Sequence, residues 1–221
     1  MRPQLLKLLQ RVRDYNEQQP ELKESYYFQF ARFEAGGLPT YLLMGINPME
    51  SDEHGRHNRC SDCPLEESFE RQVSVDRETG TNRWHRHIAG LLGTESYIES
   101  EWFFWSAKSF GELDQRYGPL IPSNANLDFC TQANIALINI IKPKAIISLG
   151  RMIRNQLACS YNLKFHRQQN DTKGNRLVEH FTYEDSYPWL VCPHPNERIS
   201  GQGEKTRRRN ETRDYISRVT P

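Results

Sequence analysis

The chain has 221 residues, of which 29 are Lys or Arg and 28 are Asp or Glu, so its formal net charge is +1. This length is typical of one α/β domain, and the balanced charge excludes a protein that binds a polyanion through its overall charge, so any nucleic-acid site has to be local. Aromatic residues make up 11% of the sequence and supply large side chains for a core, which argues against a disordered chain.

The sequence contains no segment typical of a membrane or secreted protein. Its longest apolar stretches, such as Ala145–Leu149, are far shorter than the roughly 20 residues that span a bilayer. Lys7 and Gln10 interrupt the leucine-rich segment 1–12 and no small-residue cleavage site follows, so this segment is not predicted to be a signal peptide. Five cysteines, an odd number, do not fit a secreted disulfide framework. We therefore expect a cytoplasmic protein with no membrane partner.

The N-terminal half contains one clear helix and one clear strand. Apolar residues at positions 5, 6, 8, 9 and 12 recur with helical spacing and predict an amphipathic helix. Thr40–Gly45 is short and apolar and ends at Asn47-Pro48, which is the pattern of a buried strand followed by a loop. Residues 49–83 are polar without an apolar period, which predicts a long loop or insertion.

The remaining residues predict alternating helices and strands. Helices are expected at 84–92, 123–142, 151–157 and 204–219, and strands at 101–105, 144–149 and 189–192. The helix–strand–helix order around 144–149 is typical of a parallel α/β sheet. We therefore predict a single α/β domain over residues 1–221, with a central, mostly parallel sheet flanked by helices and a polar insertion at about 49–83.

Two polar motifs follow predicted strands. Gly45-Ile46-Asn47-Pro48 comes after the first strand, and His194-Pro195-Asn196 comes after the last. Parallel α/β sheets bind ligands outside the carboxyl ends of their strands, and each proline restrains the residue before it. Taken singly, each motif is more often a turn or a strand cap. Their order along the chain, with the strand at 144–149 between them, favours one shared site.

This order of motifs resembles the uracil-DNA glycosylase superfamily, in which Gly-x-(Asp or Asn)-Pro follows an early strand and His-Pro-Ser, or a near variant, follows a late one. Gly45-Ile46-Asn47-Pro48 is most similar to the mismatch-specific and single-strand-selective branches, which have Asn in this place. The similarity spans about residues 40–215. It implies a glycosylase-like α/β fold and hydrolysis of an N-glycosidic bond, after the target base has been flipped out of DNA into a pocket.

The resemblance also implies roles for the motif residues. As the C1′–N bond stretches, the base becomes an anion, so donors are needed where the negative charge develops. His194 is the candidate donor to the base carbonyl oxygen, Asn47 orients the attacking water, and backbone N–H groups near Met49 complete the hydrogen bonds to the base. Neither motif contains a lysine, so we expect a monofunctional hydrolase rather than a lyase that forms a Schiff base.

The base pocket departs from the family pattern. The family places a stacking Phe soon after its first motif, whereas the first aromatic residue here is Phe69, with residues 103–105 as alternatives. Ser106 is the nearest match to the Asn that contacts the base edge at the end of a middle strand, and Asn196 stands where the second motif has Ser. The rest of the expected pocket consists of Gly45, Ile46, Pro48 and Met49. These departures favour a modified or bulkier base over plain uracil, for example a hypermodified cytosine of bacteriophage DNA, whose excision would be an antiviral defence.

Residues after the second motif are the predicted DNA contacts. Relatives insert an apolar or basic wedge into the emptied base stack here, and Arg198 or Ile199 fits that role. The candidates for phosphate contacts are Lys205, Arg207, Arg208 and Arg209. Each neutralised phosphate steepens the salt dependence of binding, whereas the alternative is a solvated helix face. DNA is the expected partner, and we expect a monomer.

A histidine–cysteine segment interrupts the polar insertion. Its members are zinc-ligand types that recur every third residue: His54, His57, Cys60 and Cys63. Structural zinc sites generally pair two short ligand clusters across a longer loop, so four ligands in one short segment would need a tight wrap. We therefore expect that no cofactor is required, with zinc as the alternative. The other cysteines, Cys130, Cys159 and Cys192, lie in apolar stretches and are predicted to be buried thiols.

Two functions from other classes remain open. The first is a catalytically weak member of the same fold that only binds DNA or a damaged base. The second is a zinc-dependent nucleic-acid module centred on residues 54–63. A binder would leave no abasic sites in DNA, and purified protein free of zinc would exclude the module.

Overall fold

A computed structural model describes residues 2–19, 41–46, 81–93, 96–107, 109–194 and 201–220, with the backbone alone for 81–86 and 202. The helices are α1 (Arg2–Glu17), α2 (Thr81–Leu92), α3 (Phe110–Tyr117), α4 (Ala125–Ile141), α5 (Arg154–Ser160) and α6 (Gln202–Val219). The strands are β1 (Tyr41–Gly45), β2 (Tyr97–Glu101), β3 (Ala145–Leu149), β4 (Lys164–Asn170), β5 (Arg176–Tyr183) and β6 (Tyr187–Cys192). None of the helices in these ranges is long and apolar enough to cross a bilayer.

The strands form one six-stranded sheet in the order β2-β1-β3-β6-β5-β4. Strands β2, β1, β3 and β6 are parallel to one another. Strands β5 and β4 continue the sheet beyond β6 in antiparallel pairing. All five residues of β3 are buried, as expected of a central strand that helices cover on both sides. The predicted α/β domain with a mostly parallel sheet flanked by helices is thus confirmed.

Alternation along the strands divides the core into two layers. Leu42 and Met44 of β1 belong to a cluster with α1, α3, α4 and α5, which we call the α4 face. Tyr41 and Leu43 belong to a second cluster with α2 and α6, which we call the α6 face. Successive side chains of a strand point to opposite faces of the sheet, so the position of a residue in β1 or its neighbours determines which helix layer it meets.

Several predicted elements are confirmed because their local signals are strong. The N-terminal helix buries Leu5, Leu8, Leu9 and Val12, as its apolar spacing requires. Helix α4 begins at an Asn124 cap, whose side chain accepts hydrogen bonds from the N–H groups of Asn126 and Leu127, both at 3.0 Å. Helix α2 begins at Thr81, inside the stretch assigned to the insertion, and the rest of that insertion lies outside the described residues.

The strand predicted at 101–105 is wrong. Strand β2 ends at Glu101, and residues 102–105 are fully buried in the core on the α4 face without forming a continuous strand. The N–H groups of Trp102 and Phe103 donate to the carbonyls of Gly45 and Ile46, both at 3.0 Å. The apolar run is therefore a packing signal, while the strand itself ends in polar residues that belong to the edge of the sheet.

The hairpin of β4 and β5 has no counterpart among the predicted elements. Six of the seven residues of β4 are exposed, so this edge strand lacks the apolar alternation by which strands are recognised. Asp171 closes the turn, because its Oδ1 accepts hydrogen bonds from the N–H groups of Lys173 at 2.9 Å and Asn175 at 2.8 Å. The hairpin extends the sheet beyond β6, on the side away from β1.

His180 on β5 makes the stability of this hairpin depend on pH. It is buried beside Tyr215, with 3.2 Å between Nδ1 and the hydroxyl oxygen, and burial, aided by His166 and Arg167, lowers its pKa to about 4. The unfolded chain, where the histidine pKa is about 6.5, then binds more protons below that pH than the folded chain does. We expect the melting temperature to fall as the pH drops from about 6.5 to about 4, with a shallower fall in His180→Gln. Equal slopes of melting temperature against pH in the parent protein and in His180→Gln would contradict this role of His180.

Candidate functional site

The carboxyl ends of the four parallel strands lie along one edge of the sheet. Strand β3 pairs with β1 on one side and with β6 on the other, so the two strands that precede the motifs are separated by a single strand. Neighbouring strands are about 4.8 Å apart, which places the ends of β1 and β6 about 10 Å from each other. A separation of about 10 Å between these strand ends is wide enough for a flat nucleobase with a hydrogen-bonding group on either side.

Gly150 ends the strand between the two motifs. Its φ of +103° lies where side chains are strained, and a Cβ at this position would lie 3.1 Å from Cδ1 of Ile46. The N–H of Gly150 donates to the carbonyl of Cys192 at 3.0 Å, which ties the end of β6 to the end of β3. A glycine is therefore required for the three strand ends to approach this closely.

Many of the predicted site residues lie outside the described residues. These are Asn47, Pro48, Met49, Phe69, Asn196, Arg198 and Ile199. Gly45, Ile46 and His194 are described and lie at the ends of β1 and β6, so the structure brings the two motif-bearing segments to the same edge of the sheet. The roles given to the individual side chains remain predictions.

His194 follows β6 by two residues and lies near His87 of α2. The pKa of His87 on α2 is lowered mainly by burial, with smaller contributions from Arg209 of α6 and from His194. A Cβ on Gly90 of α2 would lie 3.9 Å from Nη1 of Arg209, so this guanidinium sits against α2. No sequence motif marks His87, which is a single histidine on a helix. His87 lies within electrostatic reach of both Arg209 and His194, so it links α2 and α6 to the end of β6.

Glu101 is a second residue that sequence analysis misses. It pairs with Gly45 across β2 and β1, and a Cβ on residue 45 would overlap the Glu101 carboxyl, so a larger residue at 45 would displace that carboxyl. Oε2 of Glu101 is buried and has no hydrogen-bond partner among the described residues. Burial, with a smaller contribution from Glu99, raises the pKa of the Glu101 carboxyl to about 8. The site thus contains a carboxyl group that is protonated at neutral pH.

A buried asparagine holds the end of β2 in place. Asn134 of α4 is fully buried, and its Nδ2 donates to the carbonyl of Glu101 at 2.8 Å. Its Oδ1 accepts a hydrogen bond from the hydroxyl of Ser100 at 2.7 Å. Buried polar groups that are fully paired in this way fix geometry, so Asn134 positions Glu101 from the opposite side of the sheet.

The predicted reader of the base edge, Ser106, does not end a strand. It lies five residues beyond the end of β2, where its carbonyl accepts a hydrogen bond from the Tyr117 hydroxyl at 2.8 Å. The residue that does end this strand is Glu101. Phe103, Phe104 and Trp105 are fully buried core residues, so these alternatives for the stacking ring are used for packing. Contact of Ser106 with a base remains a prediction.

The four basic residues of α6 that are predicted to contact phosphate fall into two groups. Arg207 forms ion pairs with Asp171, Glu204 and Glu211, and these carboxylates raise its pKa. Arg208 pairs with Asp171 at 3.3 Å, donates to the carbonyl of Arg176 at 2.7 Å and is 12% exposed. Lys205 is exposed, and Arg209 lies against α2 near His87. Intramolecular partners thus hold Arg207 and Arg208, whereas exposed Lys205 is free of such ion pairs among the described residues.

This division predicts different salt effects on DNA binding. We expect Lys205→Ala to reduce the slope of log K against log salt by about 0.9, the value for one lost phosphate contact in duplex DNA. Arg207→Ala should leave the slope unchanged and lower the melting temperature instead, because it breaks ion pairs within the protein. Fluorescence anisotropy with a labelled oligonucleotide at several salt concentrations measures both slopes. A slope reduced equally by Arg207→Ala would show that this arginine contacts phosphate.

The proposed zinc ligands cannot be located in the structure. His54, His57, Cys60 and Cys63 lie outside the described residues. Within the described ranges, no group of three or more His, Cys, Asp or Glu side chains is arranged to hold a metal ion.

The prediction that the remaining cysteines are buried is wrong for one of them. Cys130 and Cys192 are buried, but Cys159 is exposed near the end of α5.

A separate groove of about 520 Å³ lies between α1 and α4. It is lined mainly by long polar side chains of α1, and the rings of Tyr15 and Phe129 stack on each other beside it with centroids 3.7 Å apart. No residue at the carboxyl end of a strand lines this groove, so it is distinct from the strand ends that carry the two motifs.

Comparison with known proteins adds no family to this description. No family model matches the chain, and no curated protein matches its sequence. The function is therefore inferred from the residues at the carboxyl edge of the sheet.

Proposed function

We propose that the protein is a monofunctional DNA glycosylase, which hydrolyses the N-glycosidic bond of a uracil-like or modified base flipped out of DNA. One observation carries this proposal: β1 and β6, the strands that precede the two motifs, end on the same edge of the sheet with only β3 between them. That spacing suits a group on each side of an extruded base. The order of the motifs and their resemblance to the uracil-DNA glycosylase superfamily support the same activity.

The chemistry divides between the two sides of the crevice. On the side of β1, Asn47 holds the attacking water through its side-chain oxygen, since an amide orients water but does not take its proton. On the side of β6, His194 donates a hydrogen bond to the base carbonyl oxygen as negative charge develops there. Arg209 and His194 both act electrostatically on His87, so this part of the α6 face carries positive charge. No Schiff base forms, because neither motif supplies a lysine.

DNA is the partner of this activity, and its contacts are local rather than spread over the molecule. The net charge of +1 gives little general attraction to a polyanion. Lys205 at the start of α6 follows the second motif closely along the chain, and Arg209 of the same helix lies against α2 near His87. The protein acts as a monomer without a required cofactor in this proposal.

A panel of oligonucleotides tests the proposed activity. Single-stranded and duplex DNA containing uracil, a mismatched uracil, 5-hydroxymethylcytosine or its glucosylated form is incubated with the protein and then treated with alkali, which cleaves abasic sites. We expect cleavage for at least one base, and no covalent adduct after borohydride treatment. DNA binding without abasic sites for any member of the panel would instead identify a non-catalytic DNA-binding protein.

A further inference from the structure

We propose that Glu101 contacts the Watson–Crick edge of an extruded amino-pyrimidine, the cytosine class of base, and gives its proton to that base as the glycosidic bond breaks. This inference rests on the proposed glycosylase activity and narrows its substrate class. It starts from the position of the Glu101 carboxyl at the same edge of the sheet as the two motifs.

Alternation along β2 places Glu101 on the face that carries His194. Ser100 points towards α4, where it donates to Asn134, so the next residue projects to the opposite side, the α6 face. Met44 of β1 likewise packs on the α4 face, which leaves the α6 side of Gly45 open. The Glu101 carboxyl fills that space, as the overlap with a Cβ at position 45 requires. It therefore lies over the first residue of the Gly45-Ile46-Asn47-Pro48 motif.

The carboxyl also has unused hydrogen-bonding capacity. Its Oε2 is buried and makes no hydrogen bond within the described part of the chain. A buried polar atom without a partner costs free energy, so a ligand that pairs with Oε2 would lower that cost. No cationic side chain in the described ranges forms an ion pair with Glu101, in contrast to buried Glu179, which pairs with Arg154 at 3.2 Å.

A protonated carboxyl matches the chemistry of cytosine. Its O–H can donate to N3 while its carbonyl oxygen accepts from the N4 amino group, which gives two hydrogen bonds to one edge of the base. An ionised carboxylate would repel both the N3 lone pair and the departing base. At neutral pH the buried Glu101 keeps its proton, because its pKa is raised to about 8.

The leaving group explains why this proton is needed. Uracil leaves as an anion that hydrogen-bond donors alone can stabilise, whereas the amino group of cytosine makes its anion a poorer leaving group. In the proposed step the C1′–N1 bond breaks with its electron pair moving into the base, and the Glu101 proton transfers to N3, so the base leaves uncharged. Water then adds to C1′ and releases one proton to solvent, and a proton from solvent restores Glu101. The sum is DNA plus water giving abasic DNA plus free base.

Glu101→Gln tests this assignment, because glutamine keeps the length of the side chain and its hydrogen bonds but has no proton to transfer. Base release is measured in single turnovers with oligonucleotides containing cytosine, 5-hydroxymethylcytosine, its glucosylated form or uracil. We expect the parent to release at least one cytosine-class base, and Glu101→Gln to release it at least about 100-fold more slowly. Uracil release, where it occurs, should change by less than about threefold. Glu99→Gln is the matched control on the same strand and should stay within about threefold for every base.

The pH profile of the parent gives a second readout that does not depend on folding of the variant. Release of the cytosine-class base should fall above about pH 8 as Glu101 loses its proton, while uracil release should not. The other ionisable groups described on this face include Glu99, His87, His194 and Arg209, together with tyrosines 41, 97 and 215. Side chains of these types do not ordinarily change charge between about pH 8 and 9. Cys192 also lies on this face, and burial raises its pKa to about 12.

The outcomes separate the two proposals. Release of uracil alone by the parent, or full activity of Glu101→Gln on a cytosine-class base, would overturn the role of Glu101 and leave the glycosylase activity standing. Failure of the parent to release any base would overturn the glycosylase activity itself.

Discussion

Replacing His194 with alanine is expected to slow base release by about 10²- to 10³-fold, the usual effect of removing one donor to a developing anion. Binding of DNA should change by less than about threefold, because the hydrogen bond strengthens only as the base becomes charged. Asn47→Ala should likewise slow base release and leave DNA affinity nearly unchanged, since it removes the group that orients water. Single-turnover rates and fluorescence anisotropy on the same oligonucleotide provide the two quantities.

The neighbouring histidine provides a control for this prediction. His87 lies near His194 and Arg209 but on a helix rather than at a strand end. His87→Gln should therefore change the local electrostatics with an effect on rate of no more than about tenfold. Equal losses of rate and affinity in His194→Ala would contradict a role in bond cleavage and indicate a DNA contact instead.

Gly150→Ala is expected to lower the free energy of unfolding by about 2–4 kcal/mol, because two costs combine at this position. A side chain at a φ of +103° is strained by about 1 kcal/mol or more, and its Cβ would press on Ile46 at 3.1 Å. Ile46 precedes Asn47, so the same displacement should slow base release by at least about tenfold. Chemical denaturation and single-turnover kinetics measure the two effects.

Gly174→Ala is the matched control for that substitution. Gly174 also has a positive φ, +82°, but a Cβ there would meet no atom within 4 Å. It should lower the free energy of unfolding by only about 1 kcal/mol and leave base release unchanged. If both alanine variants were equally stable, the close approach of Ile46 and Gly150 would not constrain the strand ends.

The fold could be predicted where local signals and tertiary packing agree. Strand β3 is a fully buried, mainly apolar segment between Pro143 and Gly150, and helix α4 carries both an apolar face and an Asn124 cap. Such segments have only one arrangement that buries their apolar side chains and satisfies their backbone groups. The strands at either side of the site, β1 and β6, were recognisable for the same reason.

The remaining elements depend on long-range contacts that a sequence does not display. Residues 102–105 are the most aromatic segment of the chain, yet they fill the core after β2 has ended. The residues at the end of β2 are polar, and they form a strand because β1 provides their hydrogen-bonding partner. Ser100 can be buried in the core because its hydroxyl donates a hydrogen bond to Asn134. The exposed strand β4 likewise forms because β5 pairs with it.

The candidate site also contains residues that the local sequence marks and residues that it does not. His194 and Asn47 could be selected because each lies next to a proline directly after a strand. Glu101 and His87 could not, because their significance comes from neighbours far away in the sequence: Gly45 for the carboxyl, and Arg209 with His194 for the imidazole. A glutamate near a strand end looks like an ordinary surface residue until the missing Cβ of Gly45 shows where its carboxyl lies.

A crystal structure of the protein with DNA that carries a non-cleavable 2′-fluorinated nucleotide would test the shared crevice most directly. We predict that the extruded base lies between Asn47 and His194, with the two side chains on opposite sides of the base and their strand ends about 10 Å apart. Side chains of Asn47 and His194 that point into different regions of the molecule, with the base bound at neither, would contradict the proposed site.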